Sequence, residues 1–461
     1  MSGEPAVYKP RTFMISDILN EPDDEMSLVR FLLYSTTLMS GGSVPAPRSA
    51  CRMKTHPEVM ERIIRAYGKV VDNLNSHVSP NCQFPPADQL LAIVSSSPKV
   101  YGRKFLSEPL SEGARRLIQS LEESEEPLYV GLWGGANVVA QAMHHIDQTK
   151  PKAEADLLRI RQRWPNIVYI VSIHGFGEFL AATWVGINAE DNGIPDMTQV
   201  QDGWLTPDIR VGPLGAEYPL IKFGMEGDSP SFMGLIPNGL SNPERPGWGG
   251  WGDRYNRITW AHDLSAEYGV SPDTVVTPNG KPHMSVQSTV WRWRDASQDD
   301  FAARMQWSLH QDFSAAAHPP LIDVNGSVGP EALHIVVPPK ASITLDASKT
   351  VDLDHPGDIE QLEFEWFFYL EPGFPQATGD KKMADYINLK SLSPPTGTDG
   401  RLPRNEAGFG KVILGPRVSV MNLVPEERDL RSREWHIILQ GKTKKGPYPI
   451  TRYKRVVLKS E

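Results

Sequence analysis

At 461 residues the chain is too long for one ordinary domain, and its 40% apolar and 22% charged residues indicate a globular protein with a buried core. A formal net charge of −9 without a separate basic run argues against nucleic acid and anionic membranes as partners. Only Cys51 and Cys82 are present, which excludes a disulfide framework and a four-thiolate zinc site and favours a reducing compartment.

The start of the chain carries no charged segment followed by an apolar one, and no stretch approaches the roughly 18 apolar residues that cross a bilayer. We therefore expect a cytoplasmic protein that is not attached to a membrane. The sequence leaves the oligomeric state open, with a homo-oligomer among the alternatives.

The first part of the chain alternates short apolar runs with segments of helical spacing. A strand is predicted at Arg11–Ile15 and a helix at Glu25–Tyr34. The elements predicted after them are helices at Pro57–Asn73, Asp88–Ser95, Ser111–Glu122 and Asn137–His145, and strands at Leu128–Leu132 and Ile167–Val171. Strands separated by helices predict an α/β domain with a mostly parallel sheet and helices on both faces.

The rest of the chain changes character twice. Residues 186–280 are rich in Gly, Pro, Asn and Trp, which predicts long ordered loops over an active-site face. A helix is predicted at Trp291–Trp307, with Asp299 and Asp300 on a solvated face or, alternatively, one of them as a metal ligand. After Pro320 the alternation of apolar and polar residues predicts an Ig-like β-sandwich, so we expect domains at 1–320 and 321–461.

Acidic residues gather in the loop SDILNEPDDEMSLVR (16–30) after the first strand. Asp17 stands at the carboxyl end of the strand, and Asp23 and Asp24 open the following helix. In open α/β sheets this edge binds ligands. Several carboxylates in one loop repel one another unless protons or a cation neutralise them, and hard oxygen ligands suit Ca²⁺. The alternative is an Asp pair that caps the helix and is stabilised by its dipole.

This acidic loop resembles the aspartate-rich signature of nucleoside hydrolases, and more closely the nucleoside-hydrolase-like domain of a bacterial and fungal family of cellulose-binding proteins. The further similar blocks are YVGLWGGANVVAQAM (129–143), NIVYIVS (166–172), FGMEGDSPSFMGLIPNGLSNPERPGWGGWGDRY (223–255) and TVWRWRDASQDDFAARMQW (289–307). SITLDASKTVDLDHPGD (342–358) and FEWFFY (364–369) resemble the family's C-terminal Ig-like module.

The resemblance implies a hydrolase site for a small-molecule substrate with an N-glycosidic or related sugar bond. Asp17, Asp23 and Asp24 would hold Ca²⁺, and Asp23 or Asp24 would act as general base. Further candidates are Glu226 and Asp228 as catalytic residues and Asn20, Asn137, His174, Trp248 and Trp251 as substrate contacts.

Structural interpretations remain open for several candidates. Asn137 follows a strand and opens a helix, so it is equally well placed as an N-cap. His174 is a lone histidine, which is more often structural. Trp248 and Trp251 lie in a Gly-rich loop, which favours contact with a ligand over packing in the core.

The chain departs from the family pattern at two places. Residues 36–58 replace the family's usual second strand and its following loop, and residues 145–172 lack an additional strand with a second acidic loop. Two walls of the pocket are therefore rebuilt. This leaves two alternatives to hydrolysis: a pericyclase-like cyclase or isomerase of secondary metabolism, and a carbohydrate-binding protein without turnover.

Overall fold

The structure of the protein is a computed structural model, and it describes residues 9–45, 55–98, 100, 103–134, 136–163, 186–190, 195–257, 268–276, 281–374, 386–393, 413–424 and 433–460. The predicted strand Ile167–Val171 and the candidate His174 lie outside these residues.

The helices of the described residues are α1 (Asp23–Leu33), α2 (Pro57–Gly68), α3 (Val71–Asn75), α4 (Ala87–Ala92), α5 (Glu112–Glu122), α6 (Asn137–Thr149), α7 (Lys152–Arg161), α8 (Asp202–Asp208), α9 (Gly212–Gly215), α10 (Pro230–Met233) and α11 (Ser288–Leu309). Short 3-10 turns are formed by Pro80–Cys82, Arg103–Ser107, Thr198–Val200, Pro246–Trp248, Phe313–Ala315 and Ile359–Gln361. The predicted helix Pro57–Asn73 is therefore divided in two, at Lys69 and Val70.

The first sheet contains β1 (Arg11–Ser16), β2 (Met39–Pro45), β3 (Leu128–Leu132) and β4 (Gln162–Arg163). Within the described residues its order is β2-β1-β3-β4, and each neighbouring pair is parallel. The strand β2 occupies part of the segment in which the sequence departs from the family pattern. The expectation that this segment had lost its strand is therefore wrong.

Apolar residues of β1 alternate between the two faces of this sheet. Phe13 and Ile15 belong to a core shared with α5 and α6, whereas Met14 belongs to a larger core shared with α1, α2 and α11. Successive side chains of a strand point to opposite faces, so the continuous burial of β1 after Arg11 shows that both faces of the sheet are covered here. Helices thus cover both faces of the sheet over the residues described.

The long helix α11 is buried along almost its whole length, which corrects the expectation of a solvated face at Asp299 and Asp300. Asp299 accepts a hydrogen bond from the Gln199 amide at 2.7 Å. Asp300 accepts from Tyr34 Oη at 2.8 Å, Arg304 Nε at 2.7 Å and Arg452 Nη1 at 2.6 Å. Burial opposes ionisation of Asp300, but Arg452 and Arg304 outweigh it and lower its pKa to about 2.

Among the described residues before α11 there are two small antiparallel pairs, β5 (Tyr255–Arg257) with β6 (Tyr268–Val270) and β7 (Asp273–Val276) with β8 (Pro282–Ser285). The C-terminal region is rich in strands, namely β9 (Asp323–Val324), β10 (Ser327–Val328), β11 (Leu333–Val336), β12 (Ser342–Asp346), β13 (Leu362–Tyr369), β14 (Ile387–Ser391), β15 (Ile413–Leu414), β16 (Arg417–Asn422), β17 (Glu434–Thr443) and β18 (Thr451–Lys459).

In the described part of the C-terminal region these strands form a β9-β10 pair, a five-stranded sheet ordered β11-β18-β17-β13-β15 and a three-stranded sheet ordered β12-β16-β14. The two larger sheets share one core, in which Leu345 and Val420 of the smaller sheet accompany Trp366 and Ile437 of the larger one. The alternating burial of β16 turns Val418 and Val420 into this core and leaves Arg417, Ser419 and Met421 on the outer face of the smaller sheet.

The strand-rich region packs closely against the helical one. The Trp293 ring lies edge-on to Tyr453, 5.5 Å away, and tilted against Phe367 at 6.0 Å. Arg455 donates hydrogen bonds to the Leu240 carbonyl at 2.8 Å and the Trp248 carbonyl at 3.0 Å. The division at residue 320 remains a prediction from sequence. No helix in the described ranges is long and apolar enough to cross a bilayer.

Candidate functional site

The first half of the site is built where β1 ends and α1 begins. Asp17 follows β1 directly and accepts a hydrogen bond at its carbonyl from the Asn20 N–H at 3.0 Å, which closes a tight turn. Leu19 within this turn has a φ of 74°. The Ser16 hydroxyl donates to Asp24 Oδ1 at 2.5 Å and so ties the strand end to the first turn of the helix.

Close approach of β3 to β1 depends on Gly134. A Cβ added to Gly134 would lie 2.6 Å from Asp17 Cβ and 2.7 Å from the Asp17 backbone nitrogen. Contacts this short are not tolerated, so only glycine fits here. Gly134, in the block at 129–143, thus makes room for Asp17.

The second half of the site comes from residues 226–228, about 200 positions further along the chain. Glu226 has a φ of 53°, which turns the backbone sharply. The Gly227 N–H faces the Asp23 carboxylate and stabilises its charged form. One carboxylate oxygen from each of Asp23, Asp24 and Asp228 lies within 4.8 Å of the other two. The structure therefore brings together three of the predicted site residues from two distant segments.

Burial and neighbouring acidic groups oppose the charged forms of Asp23 and Asp24. Burial and the nearby Glu21 raise the pKa of Asp23 to about 6. Burial and repulsion from Asp17 and Asp23 raise the pKa of Asp24 well above its usual range. Asp17 lies close enough to Asp24 to belong to the same electrostatic site, although it is not one of the three grouped carboxylates.

This donor set fits Ca²⁺. Calcium takes six to eight oxygen ligands at about 2.3–2.6 Å, so two ligand atoms on one ion are at most about 5 Å apart. The 4.8 Å grouping of Asp23, Asp24 and Asp228 meets that limit. Carboxylates that repel one another in a buried site gain most from a divalent cation. Among the His, Cys, Asp and Glu side chains of the described residues, these three form the group that could hold a metal ion.

Glu226 is engaged by four donors rather than open to a substrate. Arg30 donates to it from Nε at 2.5 Å and from Nη2 at 3.0 Å. The Tyr218 and Ser229 hydroxyls each donate at 2.6 Å. Both Glu226 and Arg30 are fully buried, with 0% side-chain exposure. This arrangement favours a positioning role, in which Glu226 holds the 226–228 turn against α1, over the catalytic role predicted from sequence.

Two of the predicted substrate contacts are amides near the site. Asn20 lies in the turn between Asp17 and α1 and is partly buried. Asn137 is the first residue of α6, and the flanking cap position is Ala136. Its side chain reaches the Val100 carbonyl at 3.5 Å, so the N-cap interpretation of Asn137 is not what the structure has.

Trp251 points into the protein, whereas Trp248 is largely buried and also lines a cleft at the junction of the two regions. Trp251 is 1% exposed, and its ring N–H donates to Tyr453 Oη at 3.2 Å. The Trp248 ring is edge-on to His436 at 5.2 Å and carries the Arg455 guanidinium 5.3 Å from its centroid. Both indoles pack between the helical and the strand-rich regions.

Sequence reasoning missed Ser16 and Arg30. Ser16 is the residue before Asp17, and its hydroxyl orients Asp24. Arg30 interrupts the apolar run SLVRFLL of α1, and a cation in such a run must find a buried partner. That interruption was the available signal, although its partner could not be read from it.

Two family models match the chain. The family model described as "Cellulose-binding Sde182, nucleoside hydrolase-like domain" matches residues 11–159 and 157–255, and the model described as "Cellulose-binding protein Sde0182, C-terminal domain" matches residues 342–460. No curated protein matches the chain in sequence.

The fold is similar to that of a solved nucleoside hydrolase-related hypothetical protein from Saccharophagus degradans that is associated with carbohydrate metabolism. The two share 23% identity with a TM-score of 0.73, over 98% of this chain and 100% of that chain. The resemblance drawn from the sequence blocks is confirmed, and the first family model alone spans more than half of the residues. The chain therefore belongs to the cellulose-binding Sde182 family with a nucleoside-hydrolase-like domain.

Proposed function

We propose that the protein is a calcium-dependent hydrolase of an N-glycosidic or related sugar bond. The observation that carries this proposal is the meeting of Asp23 and Asp24 with Asp228 within 4.8 Å. A helix that merely stabilises acidic residues at its N-terminus accounts for Asp23 and Asp24. It does not account for a third carboxylate delivered there by a separate, sharply turned loop.

In this proposal Asp24, Asp228 and Asp17 hold the cation, with Asp23 as a further ligand. Calcium, when bound, neutralises the carboxylates and polarises the oxygen atoms that it contacts. Asp23 is the least buried of the grouped carboxylates, which suits a group that takes a proton from water. The remaining negative charge stabilises the oxocarbenium character that develops on the sugar as the leaving group departs.

The other predicted residues keep subordinate roles. Glu226 positions Asp228 by anchoring its turn to Arg30. Asn20 and Asn137 remain proposed substrate contacts at the edge of the site, and His174 remains a prediction from sequence.

Activity against a panel of nucleosides and aryl glycosides, with and without a calcium chelator, tests this proposal. Asp24→Asn should abolish turnover, because it removes a buried ligand while keeping the side-chain shape. Asp88→Asn is the matched control, since Asp88 also stands in the first turn of a helix but is exposed and belongs to no cluster. Turnover that survives both chelation and Asp24→Asn would refute a calcium-dependent mechanism.

An exposed apolar rim favours the cyclase or isomerase as a second candidate. Leu19 is 46% exposed, Leu220 58% and Phe223 71%. Leu19 lies between Asp17 and Asp23, and Phe223 lies four residues before the Gly227 that contacts Asp23. Large apolar side chains so close to a polar site suit a hydrophobic substrate. This candidate predicts turnover of an apolar substrate that is insensitive to chelator and reduced by Phe223→Ser.

The family description keeps carbohydrate binding without turnover as a third candidate. A cleft of about 170 Å³ at the junction of the two regions includes Trp248, Glu331 and Arg455 in its walls. Binding there would be saturable and would survive Asp24→Asn. Loss of glycan binding in that variant would place the glycan at the acidic site instead.

A further inference from the structure

Two buried histidines lie edge to edge, with nearly parallel rings, where the helical region meets the strand-rich one. His77 follows α3, and His318 lies in the segment between α11 and β9. Their ring centroids are 5.2 Å apart with an interplanar angle of 16°. Trp307 of α11 lies parallel to both rings, and Phe313 stacks on His318 at 3.5 Å. The two imidazoles are 4% and 1% exposed, so water does not satisfy their nitrogens.

The two rings are the middle of a hydrogen-bonded chain that crosses the junction. His77 Nε2 is 2.7 Å from the His310 carbonyl oxygen. His77 Nδ1 is 3.0 Å from His318 Nε2. His318 Nδ1 is 2.7 Å from Asp354 Oδ1, which belongs to the strand-rich region. Asp354 also accepts from the His318 backbone N–H at 2.8 Å and from Lys445 Nζ at 3.0 Å.

The number of protons that this series of hydrogen bonds requires follows from the acceptors at its two ends, the His310 carbonyl and the Asp354 carboxylate. A carbonyl oxygen and a carboxylate only accept, so each end contact takes an N–H from the adjacent ring. A neutral imidazole has one N–H, so two neutral rings would donate one proton to the His310 carbonyl and the other to the Asp354 carboxylate. Two lone pairs would then face each other across 3.0 Å. One additional proton turns this repulsion into an N–H···N hydrogen bond and satisfies all three contacts.

The surroundings place this additional proton on His318. His318 contacts the carboxylate of Asp354, whereas burial and the neighbouring His318 lower the pKa of His77. The aromatic faces of Trp307 and Phe313 stabilise a cation between them. Other charged or titratable groups surround the histidine pair. Asp312 and His310 lie beside His77, and Arg304 lies over the Trp307 ring. Lys445 binds Asp354, and Asp352 binds His355 in the same turn.

We propose that the His77–His318–Asp354 chain is a proton-dependent clamp that holds the two regions together while the histidine pair carries a single additional proton. Release of that proton restores the lone-pair repulsion. Uptake of a second one places two cations in contact and breaks the bond from His77 to His318. The clamp is independent of the acidic site and of the function proposed for it.

The clamp also bears on the helix that organises the core. Asn73 of α3 donates to the Ser308 carbonyl of α11 at 2.9 Å, and Trp307 of the same helix stacks on the clamp. α11 carries Asp300, which binds Arg452 of β18. Loosening the clamp therefore removes one of several ties between α11 and the strand-rich region.

Long-range ¹H–¹⁵N spectra of the full chain labelled in histidine test the proton count without any change to the clamp. Near neutral pH His318 should show two protonated nitrogens and His77 one, at Nε2, and the signals of the exposed His144, recorded in the same spectra, serve as the reference. His77→Gln, His318→Gln and His144→Gln provide the assignments. If either clamp ring titrates together with His144, or if both rings are neutral where His144 is half protonated, the proposal is overturned.

Asp354→Asn tests the clamp's counter-charge while keeping an acceptor oxygen. It should lower the proton affinity of the pair at least about tenfold, because an opposite charge in contact shifts a pKa by about 1–3 units. Asp352→Asn is the matched control, since Asp352 is buried in the same turn but binds His355. Equal effects of the two variants would overturn the proposal.

The same two variants test whether the clamp holds the regions together. A proton that the histidine pair binds more tightly in the folded protein than in the unfolded chain stabilises the folded protein. This stabilisation is complete below the pKa of the unfolded chain and is lost as the pH rises through the pKa of the folded protein. The thermal midpoint of the parent and of Asp352→Asn should therefore fall across the step at which the pair releases its proton. In Asp354→Asn this fall should occur at a pH lower by at least about one unit. A parent midpoint that is unchanged across that step would overturn the clamp.

Discussion

Replacing Glu226 by Gln should destabilise the protein strongly, because it leaves the Arg30 cation buried without a counter-charge. The carboxylate accepts two hydrogen bonds from Arg30 and one each from Tyr218 and Ser229. Gln keeps one acceptor oxygen, and its NH₂ group would oppose either the Nε or the Nη2 donor of Arg30. Loss of one member of a buried ion pair costs about 3–5 kcal/mol. We expect a decrease of that size in the free energy of unfolding.

Urea unfolding followed by tryptophan fluorescence measures this loss. Glu61→Gln is the matched control, because it breaks an Arg–Glu pair on the exposed side of α2, where Arg65 lies 3.3 Å away. Such surface pairs contribute at most about 0.5 kcal/mol. A Glu226→Gln variant as stable as Glu61→Gln would refute the positioning role. Full stability together with lost turnover would return Glu226 to the catalytic role predicted from sequence.

Two further predictions concern packing and pH. Asp300→Asn should remove about 2 kcal/mol of stability at neutral pH, because the folded pKa of about 2 lies below the usual 3.8. This contribution is present above the pKa of Asp300 in the unfolded chain and is lost as the pH falls through its pKa in the folded protein. The free energies of unfolding of parent and variant, measured by urea titration, should therefore converge near pH 2. A difference in stability that does not change with pH would contradict the ion-pair explanation. Gly134→Ala should cost about 1–3 kcal/mol and weaken calcium binding, because its Cβ meets Asp17. Gly203→Ala is the control, because a Cβ at this position inside α8 would meet open space, so the substitution should leave stability unchanged or raise it. Calorimetric unfolding of both variants measures the difference in stability. Equal stabilities would contradict the close approach of Gly134 to Asp17.

Local pattern was sufficient where the determinant was local. The short apolar runs of β1 and β3 and the apolar spacing of α1 identified these elements within a few residues. The acidic loop could be placed at the carboxyl end of β1 because strand, loop and helix follow one another directly. Asp228 came from its family block, and the structure groups it with Asp23 and Asp24.

The sequence did not allow us to predict contacts between residues that are far apart in the chain. Asp300 looked like a residue on a solvated face, and its partner Arg452 lies 152 residues away. Glu226 looked catalytic, and its partner Arg30 lies 196 residues away. Trp251 lies in a loop rich in glycine, but Tyr453 of the strand-rich region covers it. In each case an element from elsewhere in the chain, invisible to local spacing, decides whether a polar or aromatic side chain is buried.

The calcium content of the purified protein after exhaustive dialysis, measured by elemental analysis, tests the proposed site most directly. The parent and Asp88→Asn should each retain about one calcium per chain, and Asp24→Asn and Asp228→Asn should retain none. Because Asp24 and Asp228 come from segments about 200 residues apart, loss in both variants would tie binding to their meeting. A parent without calcium, or calcium retained equally in all four proteins, would contradict the proposed metal site.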